Sequence, residues 1–573
     1  MNCFGKSGDI LKRHRYIFIF GVFIFFFASA TAQFNKYVIR FKDKAGTPFT
    51  IDNPIQFLSA KAIARRSKQN IAIDETDLPI TPRYIDSVRL AGNVRILDKS
   101  KWLNQVCIET TDAVALAKIN SFSFVISSQP VMRPVSAQSP ANNKFNEQIN
   151  TITSPATVNN VSDFYNYGSS DPQIHIHEGE YLHNKGFRGE GMLVAILDAG
   201  FYHYLSLAAF DSVRNNNQIA ETYDFVDNEK SVDEDHYHGM HCFSIMASNI
   251  PGQLVGSCPK ATYYLYRTED ASSESPVEEQ YWAAAAERAD SIGVDVISTS
   301  LGYNQFDNPI FNHTYADMNG NTTMIAKAAD LAAKKGIIVV VAAGNEGNNA
   351  WHYIITPADA DSVVAVGAVN SSGIVGRFSS YGPSSDGQVK PAIASVGVGT
   401  ALFNINGQVS SGNGTSYATP NVAGLIACLW QAFPEFSNME IISAVEKSSS
   451  IYNAPDDRIG YGIPNFHIAY DALLEQRIAK NMASILGDKK IKVFPNPFNS
   501  EFSVLLKPAI SGAGTFALYD MSGKLYLLKT IIQQQEQVQL IKFNNLQPLA
   551  KGLYILRFSD GKTNENFKLL MQQ

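Results

Sequence analysis

Four near-continuous apolar runs constrain the fold of this chain more tightly than any other feature. They are Leu193-Val194-Ala195-Ile196-Leu197, Val294-Asp295-Val296-Ile297-Ser298, Ile337 to Val341 and Val363 to Val366. A strand with one wet face alternates apolar and polar residues. These runs do not, so both faces must be covered, as in a parallel sheet with helices on each side. The sequence contains that cover: Tyr281 to Ser291 and Thr323 to Lys334 are Ala-rich stretches that read as helices between the strands. The order predicts an α/β domain with a parallel sheet, extending from about residue 165 to residue 475.

The chain has 573 residues, too many for one hydrophobic core, and the remainder divides by composition. Lys6, Lys12, Arg13 and Arg15 precede the apolar stretch Tyr16 to Ala28, and Ala30-Thr31-Ala32 offers a small-x-small cleavage site before Gln33. Residues 1–32 therefore read as a secretory signal peptide, because the apolar run is short of the ~20 residues a spanning helix needs. Residues 33–134 read as a small α+β unit. Tyr37 to Phe41 alternates as a strand, Ser59 to Ser67 is helical, Val106 to Thr110 is a strand, Ala113 to Ile119 is helical, and Phe122 to Ile126 is apolar and extended. That order suits a ferredoxin-like layer. Residues 135–164 are rich in Ser, Asn, Thr, Pro and Gln and read as a linker, the kind of segment where proteolytic nicking concentrates. From 488 to 573, seven short strand-like stretches separated by turns such as Met521-Ser522-Gly523 and Ser559-Asp560-Gly561 predict an all-β sandwich.

Composition narrows the partners. A net charge of -6, with no basic block outside the N-terminus, argues against nucleic acid. The 5 Cys form no CxxC pair and no short Cys/His cluster, so no metal site is expected from them. Asp317-Met318-Asn319-Gly320-Asn321-Thr322 places oxygen ligands at alternate positions, as structural calcium would need. Its Gly is misplaced for an EF-hand loop, and a polar turn is the favoured reading. No cofactor is required by anything else in the sequence.

The chemistry gathers at strand and helix ends. Gly412-Asn413-Gly414-Thr415-Ser416 runs into an apolar helix of small residues, so Ser416 sits where a helix N-terminus offers unpaired N–H groups. A serine hydroxyl needs a base, and the base needs an orienting carboxylate. Asp198 directly follows the run Leu193 to Leu197. His238 opens the helical segment His238-Gly239-Met240-His241, and Asn345 ends Val341-Ala342-Ala343-Gly344-Asn345 after another strand. His236 is a nearby decoy, and the pair His238 and His241 at i and i+3 has no third ligand cluster after it, so a zinc site is not indicated.

Four of these stretches resemble the motifs of the subtilase (subtilisin-like) serine proteases, in that family's order. Gly414-Thr415-Ser416-Tyr417-Ala418-Thr419-Pro420-Asn421-Val422-Ala423-Gly424 matches the serine motif with Asn421 where His is usual. Ile196-Leu197-Asp198-Ala199-Gly200 matches the Asp motif with Ala199 for Thr or Ser. His238-Gly239-Met240-His241 matches the His motif with Met240 for Thr. The resemblance implies a serine endopeptidase with Ser416 as nucleophile, His238 as base, Asp198 orienting it and Asn345 in the oxyanion hole. It also implies that Ser300-Leu301-Gly302 and Ala342-Ala343-Gly344 wall the substrate cleft, whose small residues suggest an open, apolar pocket for protein or peptide substrates. A silent binding protein on the same scaffold is the competing reading, and the complete set argues against it. The position of residues 33–134 resembles the inhibitory propeptides of the family; an ordinary accessory domain is the alternative. Val493-Phe494-Pro495-Asn496-Pro497-Phe498, Tyr519-Asp520-Met521-Ser522-Gly523 and Gly552-Leu553-Tyr554 resemble the C-terminal sorting domain of the type IX secretion system. That resemblance implies a partner in the secretion machinery and a secreted or cell-surface protein. Cys242, four residues after His238, resembles the free thiol beneath the histidine in the proteinase-K-like branch, with a Cys242–Cys258 disulfide as the rival.

Overall fold

The computed structural model describes residues 34–133, 145, 147–152, 163–546 and 549–572. The stretch read as a signal peptide, with its expected cleavage site, lies outside them. The N-terminal unit runs β1 (Lys36–Phe41), α1 (Ala60–Lys68), α2 (Pro82–Arg89), β2 (Arg95–Ser100), β3 (Gln105–Glu109), α3 (Ala113–Asn120) and β4 (Val125–Met132). Its four strands pair antiparallel in the order β2-β3-β1-β4, the ferredoxin-like arrangement expected from the sequence. Two elements escaped the sequence reading. Strand β2 carries exposed Arg95 and Lys99 at the sheet edge, and α2 buries only Tyr84 and Val88. The last strand also begins later than expected, because Phe122 and Phe124 fill the unit's own core instead.

Strand alternation gives this small sheet two buried faces. Tyr37, Ile39, Val106 and Ile108 pack under Tyr84, Val88 and Ile119 of the helices. Val38, Leu97, Cys107 and Val131 point the other way, into the core of the central domain.

That domain is built on seven parallel strands: β6 (Leu193–Asp198), β7 (Ile219–Asp224), β8 (Thr262–Arg267), β9 (Val296–Thr299), β10 (Ile338–Ala342), β11 (Val364–Val369) and β12 (Ile393–Val396). A short strand, β5 (Ile149–Thr151), precedes them in the chain. Their order is β12-β11-β10-β9-β6-β8-β7. Val194, Ile196, Val296, Ile338 and Val340 face one helical layer, formed by α4 (His238–Ala247) and α7 (Thr415–Ala432). Ala195, Leu197, Ile297, Val339 and Val341 face the other, formed by α5 (Val277–Ile292) and α6 (Met324–Lys334). The absence of alternation in the sequence therefore has its expected cause: both layers are dry. Helix α7 is buried along its whole length except Gln431. An antiparallel pair, β13 (Val398–Phe403) and β14 (Val409–Asn413), delivers the chain to it.

After a helix spanning Phe466–Leu486, the described residues of the last region form seven strands in two antiparallel sheets of three and four. Ile491, Phe502, Val504, Phe516, Leu518, Leu556 and Phe558 from both sheets share one core, so the region is a β-sandwich. No helix among the described residues is long and apolar enough to cross a membrane.

Candidate active site

Every candidate residue sits at the carboxyl edge of the parallel sheet. The strand order reverses at β6: the chain leaves it first for β7 and β8 on one side, then for β9 to β12 on the other. Open sheets of this kind place their sites at that switch point, and Asp198 is the last residue of β6. Ser300 to Gly302 follow β9, and Asn345 lies three residues beyond β10.

Asp198 is fully buried, and its Oδ1 accepts from the Ala199 N–H at 2.7 Å and pairs with His238 Nδ1 at 2.7 Å. A carboxylate only accepts, so the imidazole carries its proton on Nδ1 in the neutral state, which leaves Nε2 as the acceptor nitrogen. The close approach depends on Gly239: a Cβ there would stand 2.5 Å from the Gly200 carbonyl and 2.8 Å from the Asp198 Cβ. Burial alone would lower the His238 pKa. The carboxylates of Asp198 and Glu147, one at each ring nitrogen, outweigh it and raise the imidazolium to about 10.

Ser416 opens α7 at its second residue and is 5% exposed. Its carbonyl has an unusual environment with a sequence cause. Pro420, four residues on, has no N–H, so the Ser416 carbonyl lacks its helical donor. The hydroxyl of Ser300 donates to that oxygen at 2.7 Å and the thiol of Cys242 at 3.4 Å. Ser416 Oγ itself donates to the Ser300 carbonyl at 3.3 Å. Across the cleft, Asn345 Oδ1 accepts from the Thr415 N–H at 2.9 Å and from its hydroxyl at 3.0 Å. This fixes the amide with its NH₂ as the end left to face the cleft. Sequence reasoning assigned no role to Thr415.

Phe145, Ser300, Leu301, Gly302, Ala342, Gly344, Asn345, Thr415 and Ser416 line one cavity of about 400 Å³. Five of the six expected wall residues are among them. Ala343 is not: it is fully buried among the residues between sheet and helices. The expected apolar character is also corrected. Glu269, Glu274 and Glu346 line the same cavity, and Glu278 brings a third carboxylate within 4.8 Å of the first two. Glu269 and Glu274 come from the turn after β8, which nothing in the sequence tied to the cleft.

Part of the stretch read as a linker enters the cleft. The Phe145 ring lies 4.5 Å from the His238 ring, Glu147 Oε2 lies 3.3 Å from His238 Nε2, and β5 pairs antiparallel with β14.

Other sequence candidates separate from the site. His241 is buried, its pKa lowered to about 3 by desolvation and the neighbouring His238 and His236, and it stays neutral. Cys242 does lie beneath the His238–Asp198 pair, buried and reduced. Cys258 is instead beside Cys428, with sulfurs 3.6 Å apart, so the Cys242–Cys258 pairing is not formed. The stretch 317–322 has the internal bonds of a polar turn: Asp317 Oδ2 accepts from Thr314, and Asn319 accepts from the Asn321 N–H and donates to the Ala316 carbonyl and Thr322. Asp224, Asp227 and Asp235 converge as well, but on the guanidinium of Arg267, which supplies their cation.

The arrangement has a hydroxyl at a helix N-terminus, an imidazole braced by a buried carboxylate, and an oriented amide donor. These are the parts needed to attack a carbonyl and hold the resulting oxyanion. The model of the subtilase family matches residues 189–462. Those of the peptidase S8 propeptide domain of Bacteroidota and of a secretion system C-terminal sorting domain match residues 36–160 and 492–572. The chain is similar to subtilisin E of Bacillus subtilis (strain 168), with 30% identity over 293 residues covering 50% of this chain and 68% of the other. It is similar to subtilisin of Bacillus pumilus at the same identity, covering 94% of that protein. A thermostable alkaline protease of Halalkalibacterium halodurans is 28% identical over 277 residues, covering 48% of this chain and 67% of that one.

Proposed function

The chain belongs to the subtilase family of serine peptidases, and from that premise we propose that it hydrolyses peptide bonds through an acyl-enzyme on Ser416. In this reading His238 Nε2 takes the proton of Ser416 Oγ as the hydroxyl attacks the scissile carbonyl, and then gives it to the leaving amine. Asp198 holds the Nδ1 proton and stabilises the imidazolium. The Asn345 amide and the N–H of Ser416 receive the oxyanion; loss of one such donor costs ~10²–10³ in turnover. Ser300 to Gly302, Ala342 and Gly344 hold the substrate chain, with main-chain pairing of the strand-addition kind. Residues 33–134 act as an inhibitory propeptide. The C-terminal sorting domain makes this a secreted or cell-surface protein.

The observation that carries the reading is the buried Asp198–His238 pair at 2.7 Å, with the Cys242 thiol grouped beside it and reaching the carbonyl of Ser416 at the start of α7. A fluorophosphonate probe on the matured protein tests it, alongside cleavage of a peptide library. Wild type is expected to be labelled and to cleave peptides, and Ser416→Ala to do neither. Peptide cleavage by Ser416→Ala, or an unlabelled and inactive matured wild type, overturns it.

A further inference from the structure

We propose that Glu147 is a latch on the base: in the uncut chain its carboxylate pairs with Nε2 of His238, the atom that must accept the Ser416 proton. The inference rests on the catalytic reading above and adds a residue-level means of keeping that chemistry off.

The segment around Glu147 is held on both sides of it. On one side, Phe145 lines the cavity with Ser300 and Gly302 and packs its ring against His238. On the other, Ile149, Asn150 and Thr151 pair with Gly412, Ser411 and Ser410 of β14. Ile149 packs against the cluster of Cys242, Ile245, Leu402 and Tyr417. With both flanks fixed, the Glu147 side chain is 9% exposed and its Oε2 lies 3.3 Å from Nε2.

The charges around the ring make the contact more than steric. Asp198 stands at Nδ1 and Glu147 at Nε2. The Tyr417 hydroxyl is 3.5 Å from Glu147 Oε2, and neutral His241 and the Cys242 thiol lie behind. The His236 ring also lies against Phe145, 4.8 Å away and tilted to it. An imidazole between two carboxylates favours its charged form, and an imidazolium has no lone pair with which to accept a proton. Ser416 Oγ correspondingly donates to the Ser300 carbonyl. The latch opens when Phe145 and Glu147 leave the base, which frees Nε2 to accept the proton of the serine.

Two measurements test this on the full chain. In Ser416→Ala protein, nitrogen NMR of His238 is expected to show Nε2 protonated at pH 8. Adding Glu147→Gln is expected to lower the apparent pKa of His238 by more than one unit, and Glu147→Asp to restore part of it. In the catalytically intact chain, fluorophosphonate is expected to label the uncut Glu147→Gln band at least tenfold faster than the uncut wild-type band at early times. Equal labelling of the two uncut bands, with a matured enzyme that labels well, overturns the latch and leaves the catalytic reading standing. A His238 titration unchanged by Glu147→Gln overturns it too. A matured wild type that does not label overturns the catalytic reading and the latch together.

Discussion

At the scale of single residues, the proline in α7 ties several otherwise separate side chains together. Because Pro420 cannot donate, the carbonyl of Ser416 recruits Ser300 and Cys242, and these two groups steady the turn that holds the candidate nucleophile. Cys242 is fully buried, and its burial next to Asp198 pushes the thiol pKa well up. A reagent that waits for a free thiolate at neutral pH therefore reacts slowly. A mercurial that does reach the sulfur must displace the Ser416 turn and the His238–Asp198 pair. Wild type is expected to lose activity to mercurials, and Cys242→Ala to stay active and resist them. Peptide assays before and after treatment decide it, and equal sensitivity of the two proteins would sink the idea. The four catalytic candidates were legible because each lies in a short local pattern: a strand end, a helix start, a Gly-rich turn. The glutamates of the cleft were not, because Glu269 and Glu274 reach it only through the path of the turn after β8. Glu269, Glu274 and Glu346 put carboxylates along the cavity with Glu278 close by, a lining that favours a cationic side chain over an anionic one. Peptides with Lys or Arg near the scissile bond are expected to be cleaved at least tenfold faster than those with Asp or Glu. The preference should shrink in Glu269→Gln/Glu274→Gln; kcat/KM for matched peptides measures it.

Among elements, the sequence showed those whose burial is symmetrical and hid those at edges. Strands β6, β9, β10 and β11 are covered on both faces and read as apolar runs. Strand β7 ends the sheet with Glu221, Thr222 and Tyr223 half-exposed, and β8, next to that edge, carries Tyr263, Tyr264, Leu265 and Tyr266 in succession between polar ends. Neither announced itself. The same limit applied to cysteine pairing, since spacing along the chain cannot show which elements meet. The packing of α7 against the turn at Ser257 and Cys258 answers that question. Gly424 lets the helix approach so closely that a Cβ would stand 2.1 Å from Ser257 Oγ, and Cys428, one turn further along, reaches Cys258. Both sulfurs are buried, and the protein is exported to where thiols meet disulfide-bearing oxidants. Exchange with such an oxidant would join the two sulfurs and pass both protons and both electrons to it, linking α7 to the turn. The bridge spans a long loop and would add about 2–4 kcal/mol to stability. Non-reducing peptide mapping of the secreted protein is expected to find Cys258 joined to Cys428, with Cys242 free. Two alkylatable thiols at 258 and 428 would show instead that the pair stays reduced.

For the whole molecule, the informative surface is the one between the N-terminal unit and the central domain, because it is charged yet dry. Arg66, 1% exposed, pairs with Asp290 Oδ2 at 2.6 Å and with Asp77 at 2.9 Å, and Arg65 adds a second guanidinium to Asp290. Lys335 of the central domain reaches back to Asp74 and Asp77 at 2.9 and 3.0 Å. Ions paired in this way hold orientation more than they add stability, but losing one partner leaves the others uncompensated. Two carboxyls in the same surface titrate in the physiological range. Glu287 of α5, which accepts from Ser100, Lys101 and Trp102 of the N-terminal unit, is pushed up by burial to about 7, as is Asp98 of β2. A carboxyl whose pKa is higher in the docked state favours docking most fully below its free value. That contribution is lost as pH rises from about 4 through about 7. At His238 only the contribution of Glu147 is lost on undocking, since Asp198 stays beside the ring, and that contribution acts in the same direction. Asp74, lowered to about 2 through Thr76 and Lys335, opposes them only in acid well below this window. The unit is therefore expected to hold more tightly at pH 5 than at pH 8. In full-length Ser416→Ala, hydrogen exchange of residues 95–103 and 277–292, corrected for intrinsic rates, should show protection falling across that range. Glu287→Gln, which cannot ionise, should flatten the fall without abolishing docking. Protection that is constant from pH 5 to pH 8, or that rises, would mean that the buried carboxyls are not what couples the N-terminal unit to pH.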